Sequence, residues 1–262
     1  MATVSLVALA LGAGVATRAV VAQPAPPAPA AGAGSLSTVA AAAVLDRVQR
    51  FYAAADRYAA KVRHVEVDAA HRTTTRRDGR LAVVRPGQSR WEYFAAGARA
   101  PTVGEAVVFD GQHGWVIDHQ RRQLVPTATP DPTLAAAVSF MDGGGHLASL
   151  ATAASRVRVA RGDGDLVIVT LTPGPGASTY RRLAFVVDPS NWRVTQSIVI
   201  DAVGVEHTFS FYEPDTATPI APERFVVDPA GFPGYRVVAT ATRPAAPSPS
   251  AAGAGPGSAP RP

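Results

Sequence analysis

The sequence predicts a mainly β fold: an unclosed antiparallel barrel of about 10–11 strands, with an N-terminal helix and a mid-chain helical lid. Three observations carry this. Residues 37–58 place apolar side chains at helical spacing. From Lys61 onward the period changes to two, with turn signals between the runs. One stretch, 129–155, interrupts the strands with a second helical pattern.

The first helix is read from Val44, Val48, Phe51 or Tyr52, Ala55 and Ala59, with Ser37 or Thr38 as its cap. Asp46, Arg47, Arg50, Asp56 and Arg57 then face water. In "KVRHVEVDA" the apolar candidates are Val62, Val65, Val67 and Ala69, and "RRDG" (76–79) reads as a turn. "RLAVVRP" is a strand that Pro86 ends or places at an edge. "SRWEYF" is the next strand. "AVVFDGQHGWVID" is a hairpin about Asp110-Gly111, and "RVRVARGDGDLVIVTLTP" is another about 162–165. "YRRLAFVVDPSNWRVTQSIVID" turns at 188–191. "VEHTFSFYEP" and a short "ERFVVDP" follow as strands, and "YRVVATA" is a candidate terminal strand.

The interruption opens on Asp131 as a cap and Pro132 at the first helical position. Leu134, Val138 and Met141 fall at i, i+4 and i+7, and Gly143-Gly144-Gly145 stops the helix. A second short helix is expected from His146 to Ala153. With Phe140 and Leu147, these apolar residues are the lid candidates. Helices on the concave side of a curved sheet enclose a space that is either packed core or a cavity. The lining candidates are Val48, Phe51, Tyr52, Trp91, Tyr93, Phe109, Trp115, Phe185, Phe209 and Phe211; ordinary core is the alternative reading of the same side chains.

Composition limits the chemistry. There are no cysteines, which removes disulfides, thiolate metal sites, cysteine nucleophiles and lipidation at a cysteine. The 25 basic residues outnumber the 20 acidic ones, but they are scattered, with Lys61 the only lysine, so nucleic acid is not an expected partner. No G-x-S-x-G and no phosphate-cradling loop occurs. None of the six histidines pairs with another at a metal-ligand spacing on a helix. No catalytic residue or metal is therefore expected, and the chain is not expected to be an enzyme.

Residues 1–22 read as a signal peptide with small residues before Gln23, although no Lys or Arg precedes the apolar run. Residues 23–36 are a Pro/Ala linker and 244–262 a Pro/Ala tail, both too poor in apolar surface to order themselves. The folded domain is expected to occupy 37–243.

The series "VLDRVQRFYAAADRY", "GRLAVVRPGQSRWEY", "VVFDGQHGWVIDHQRRQLV", "AAAVSFMDGGGHL", "RRLAFVVDPSNWRVTQSIVIDAVG", "HTFSFYE" and "IAPERFVVDPAGF" resembles the LolA family of periplasmic lipoprotein carriers. The likeness runs from about 41 to 238. Its most specific part is R-P-G-x-x-R-W-x-Y, Arg85 to Tyr93. The resemblance implies a half-barrel with a hydrophobic cavity for the acyl chains of lipoproteins. It implies an exported, monomeric carrier in the periplasm, with no cofactor. It implies cargo that comes from an inner-membrane ABC-type release complex and passes to an outer-membrane acceptor. It further implies that Arg85, followed by Pro86, sits at the barrel mouth and hydrogen-bonds the lid. Val62 and His64 stand where the family often has an aromatic residue and a glutamine, and Asp142 with three glycines makes the lid more polar than is common. An RseB-like sensor, or a carrier of another lipid, is the alternative on the same fold.

Overall fold

The computed structural model describes residues 41–98, 100–141, 147, 151–158, 165–173 and 179–238. The expected signal peptide, linker and tail lie outside them, as do the Ser37 or Thr38 cap, the Gly143–Gly145 stop and the turn at 162–165.

Helix α1 spans Ala41–Ala53 and buries Val44, Leu45, Val48 and Tyr52. Its alanines favour helix, and these four side chains form one apolar stripe. The helix ends five residues earlier than its sequence pattern suggests. The Ala55 N–H bonds the Tyr52 carbonyl at 3.0 Å, and the chain is already strand by Arg57.

Twelve strands form one sheet: β1 (Arg57–Asp68), β2 (Thr73–Val84), β3 (Gln88–Phe94), β4 (Val103–Asp110), β5 (Gly114–Asp118), β6 (Gln123–Thr127), β7 (Ala151–Arg158), β8 (Asp165–Leu171), β9 (Tyr180–Asp188), β10 (Arg193–Asp201), β11 (Glu206–Asp215) and β12 (Arg236–Val237). Their order is β12-β6-β5-β4-β3-β2-β1-β11-β10-β9-β8-β7. All neighbours are antiparallel except β12 with β6. The two ends, β12 and β7, do not pair with each other, so the barrel is unclosed. First and last strands of the main meanders meet at its middle, where β1 pairs with β11 from Ala59–Asp215 to Val67–Glu206.

Four expectations change. The first is the length of α1. The second is "RRDG", which is not a turn; it lies inside β2, and the β1–β2 turn falls at 69–72. Gly79 is needed because a Cβ there would overlap the Glu92 carbonyl oxygen of the neighbouring strand. The third is "ERF", a 3-10 turn, Pro222–Phe225, and not a strand. The fourth is Ala151–Ala153, expected at the end of a second lid helix, which begin β7.

The mid-chain cover is helix α2, Pro132–Ala137, followed by a 3-10 turn, Ser139–Met141. The Asp131 carboxylate accepts from the N–H groups of Thr133 and Leu134, at 2.9 and 3.0 Å, which satisfies donors that the first helical turn leaves free.

Side chains of the sheet alternate between two cores. The inner core takes β1, β2, β3, β8, β9, β10 and β11 together with α1 and α2. A smaller outer core gathers Ala106, Val108, Ile117 and Leu124 under Val227, Phe232 and Tyr235 of the C-terminal segment.

Candidate functional site: the covered inner face

Inner-face positions at one end of the sheet are apolar: Tyr58, Ala60 and Val62 on β1, Leu81 and Val83 on β2, Trp91 on β3, Phe185 on β9, and Phe209 and Phe211 on β11. The cover places Phe140 at their centre. Its ring lies 4.7 Å from Tyr52, 5.6 Å from Tyr58, and 5.8 Å from both Phe185 and Phe211. Offset and edge contacts of this kind add to the gain from burial. The space between cover and sheet is therefore packed with rings. Grooves of about 640 and 440 Å³ lie elsewhere, one beside Arg77, Ala95–Ala98 and Arg121, the other between Arg47, Arg50, Phe51 and Trp192.

Three polar contacts hold the cover down. The Ser197 hydroxyl of β10 donates to the Ala137 carbonyl at the end of α2, at 2.7 Å, with Ser197 fully buried. The Tyr52 hydroxyl of α1 accepts from the Val194 N–H of β10, at 3.1 Å; burial, the largest influence, pushes this phenol up to about 12. Arg85 Nη2 donates to the carbonyls of Ala53, at 3.1 Å, and Ala55, at 2.5 Å. The Ala53 carbonyl is at the unsatisfied end of α1, where the helix dipole also favours a cation, and Ala55 follows it in the connection to β1. Among the described residues Arg85 thus grips the end of the N-terminal helix, where the resemblance led one to expect the mid-chain lid. The Arg85–Pro86 peptide is cis, and Gly87 at φ +73° turns the chain into β3.

Among the described residues, some buried donors in this core have no partner: Tyr58 Oη, Trp91 Nε1 and Arg85 Nε. Each is a polar group removed from water without compensation.

The other end of the inner face is polar. His64 is 3% exposed and stacks on Phe209 at 4.1 Å. Its Nε2 lies 3.1 Å from His207 Nδ1, and its Nδ1 lies 3.2 Å from Arg77 Nη2 and 3.3 Å from Tyr93 Oη. Arg77 also bonds Glu105 at 2.8 Å and sits over the Tyr93 ring at 4.0 Å. Burial, then the charges of Arg77 and His207, hold His64 down at about 3, so it is neutral. Among the described residues, His64, Glu66 and His207 place donor atoms within 4.8 Å of one another, a grouping of metal-ligand type. Sequence spacing could not show it, because His64 and His207 are 143 residues apart and meet only through the β1–β11 pairing.

The lining candidates divide. Val48, Tyr52, Trp91, Tyr93, Phe185, Phe209 and Phe211 are in the inner core, as are the lid candidates Leu134, Val138, Phe140, Met141 and Leu147. Phe51 packs at the edge of this core and lines the smaller groove. Phe109 is half-buried and outside both clusters. Trp115 is a correction: it pairs with Val108 across β4–β5 and so packs in the outer core. Ser197 was invisible to sequence reasoning, since a serine in "VTQSIVID" looks like a solvent-facing strand residue.

An unclosed sheet with an apolar inner face under two helical pieces defines a half-barrel. The family model described as outer membrane lipoprotein carrier protein LolA matches residues 58–228. The chain belongs to this family. Solved structures similar to it include an uncharacterised conserved protein of Thermus thermophilus, at 14% identity and TM-score 0.46, covering 77% of this chain and 100% of that one. LprF of Mycobacterium bovis is similar at 11% identity and TM-score 0.42, with 69% and 95% coverage. A LolA superfamily protein of Nitrosomonas europaea is similar at 13% identity and TM-score 0.39, with 72% and 98% coverage. No curated protein matches the chain.

Proposed function

We propose that the protein is a non-catalytic carrier that shields the acyl chains of lipoproteins under its helical cover. In this reading it works in the periplasm as a monomer, receives cargo from an inner-membrane ABC-type release complex and passes it to an outer-membrane acceptor. The observation that supports this most is the way the cover is held. An almost wholly apolar interface is pinned by a few single-donor contacts, Ser197 to Ala137 and Arg85 to Ala53 and Ala55. Opening the cover breaks only these few hydrogen bonds, and re-forming them defines its closed position.

The energetics favour a closed resting state. Each buried methylene of an acyl chain is worth about 0.8 kcal/mol. Full burial of long chains without opposition gives binding too tight for a handover. Re-forming the Phe140 ring cluster on release offsets part of that gain, because a ligand shifts the equilibrium only by its preference for the open form.

Native mass spectrometry of the protein with a triacylated lipopeptide tests this. A one-to-one complex, lost when the acyl chains are removed, is expected. Binding of phospholipid or free fatty acid in its place moves the assignment to another lipid. No bound species of any of these overturns the carrier reading.

A further inference from the structure

The polar end of the inner face has a charge pattern that hydrogen bonding alone leaves incomplete. Glu66, His64, His207 and Asp201 come together from β1, β10 and β11. His207 Nδ1 faces His64 Nε2 at 3.1 Å and Glu66 Oε2 at 3.7 Å. His207 Nε2 faces Asp201 Oδ2 at 3.5 Å and has no hydrogen-bond partner at standard geometry among the described residues. Arg77, the cation on the far side of His64, is already engaged by Glu105 at 2.8 Å. The four side chains thus bring two carboxylates against two imidazoles.

A hydrogen-bond chain satisfies only part of this. Arg77 has donors alone, so its contact makes His64 Nδ1 an acceptor and places the ring proton on Nε2. That proton goes to His207 Nδ1, and His207 Nε2–H then points at Asp201. Glu66 is left facing the same Nδ1 with no proton between them.

We propose that His64 Nε2, His207 Nδ1 and Glu66 Oε2 form a site for one divalent transition-metal ion of the zinc type, with Asp201 as a positioning carboxylate. The donor set is two imidazoles and one carboxylate, which suits such an ion. Two nitrogens on a tetrahedral zinc ion, each about 2.05 Å from it, stand roughly 3.3 Å apart; here they are 3.1 Å apart. The ion supplies the missing positive charge. Asp201 accepts from His207 Nε2–H, the outer contact that fixes a metal-bound imidazole. His64 then carries its proton on Nδ1 and donates it to Tyr93 Oη, while Arg77 Nη2 turns away from that nitrogen and keeps Glu105. Glu66 is about one-third exposed, so the fourth position opens to water on its side. This site is separate from the apolar end and does not depend on the carrier reading.

The test uses the untagged protein, stripped with chelator and dialysed. Cobalt(II) is titrated with visible absorption as the readout, and zinc(II) by calorimetry. One equivalent is expected to bind, with cobalt ligand-field bands that zinc abolishes. Glu66→Gln and His207→Gln are expected to lose the bands. Asp201→Asn keeps the Oδ1 acceptor that serves the N–H groups of Val203, Gly204 and Val205, and is expected to bind about 10- to 100-fold more weakly. His71→Gln, on the exposed β1–β2 turn, is expected to change nothing. His207 is largely covered and bonded to the buried His64, so its variant can fail to fold; Glu66→Gln at the rim then decides. Absence of cobalt and zinc binding, or binding unchanged in Glu66→Gln, overturns the proposal.

Discussion

The Ser197 hydroxyl donates to the Ala137 carbonyl at 2.7 Å, and this one buried contact ties the mid-chain helix to the floor of the sheet. Ser197→Ala leaves that carbonyl without its donor in a dry environment, a loss of about 1–3 kcal/mol. The effect is expected to be local. Amide exchange should accelerate in α2 and in Ser139–Met141, while β2–β4 keep their protection. Uniform acceleration across the sheet in a hydrogen-exchange experiment would show that Ser197 supports the fold and does not latch the cover.

Arg85→Leu is expected to keep the strand content of the protein and to loosen the end of α1. Charge-assisted hydrogen bonds contribute about 1.5–3 kcal/mol, and a cation at a helix C-terminus adds to that. Arg85→Lys is expected to recover only part, because an ammonium on a flexible stem replaces a planar fork. Denaturant midpoints of the two variants, with far-UV circular dichroism for fold, check this. Within the carrier reading, Arg85→Leu also transfers acylated cargo poorly; normal transfer would remove its latch role.

How much of this was legible in the sequence depends on the range of the interaction. The Asp131 cap and the Pro132 start were readable because they act over three residues. The aromatic inner face was readable because strand period two sorts Phe209 from Thr208 without any partner. Trp115 was misplaced for a related reason: alternation says that a residue faces one side, but not which side has the larger core. "RRDG" misled because Asp-Gly is a turn signal locally, whereas Gly79 is there to admit the Glu92 carbonyl of another strand. Ser197 and the His64–His207 pair needed the pairing of β1, β10 and β11, and the Arg85 contact needed the end of β2 set beside the end of α1 by the β1–β2 pairing; no local pattern contains these.

Glu92 gives a pH prediction. It is 4% exposed on β3 and is bonded by Arg80 and by Arg90, the latter at 2.6 Å, with Arg224 at 3.6 Å. Burial alone would raise its carboxyl, but the hydrogen bonds from Arg80 and Arg90 outweigh that and hold it below the usual carboxylate range. A folded-state pKa below the unfolded value gives stability that is present above the unfolded pKa and lost as pH falls through the folded one. The wild type should therefore lose this contribution in the acid range, below about pH 4.5. Glu92→Gln is expected to unfold at a lower temperature than wild type near neutrality, with the gap closing as the pH falls. A gap that stays constant between neutral and acid pH contradicts the assignment.

Phe140→Ala removes the ring on which Tyr52, Tyr58, Phe185 and Phe211 converge. Truncating a buried phenylalanine costs about 3–5 kcal/mol, with the larger values where the site cannot collapse. Four surrounding rings, each fixed from a different element, resist collapse. The variant is therefore expected to be strongly destabilised by denaturant titration. It should also take up a small apolar probe in the space left by the ring, with a saturable rise in melting temperature. Loss of stability without any probe binding would mean that the rings close over the gap.

Tyr58 separates the two uses of the same core. Its hydroxyl is buried with no partner among the described residues, and its pKa is raised chiefly by that burial. An orphaned hydroxyl costs the fold about 1–3 kcal/mol, so Tyr58→Phe should raise the thermal midpoint of the protein without ligand. A group kept at a cost to stability is expected to serve the bound state. In the carrier reading the phenol donates to an ester carbonyl of the cargo, and Tyr58→Phe should bind a triacylated lipopeptide more weakly while binding an alkane of equal chain length unchanged. A variant that is more stable and binds both ligands as the wild type does would reduce Tyr58 to a packing residue. A variant that is less stable would show that the hydroxyl has a partner and is not kept at a cost to the fold.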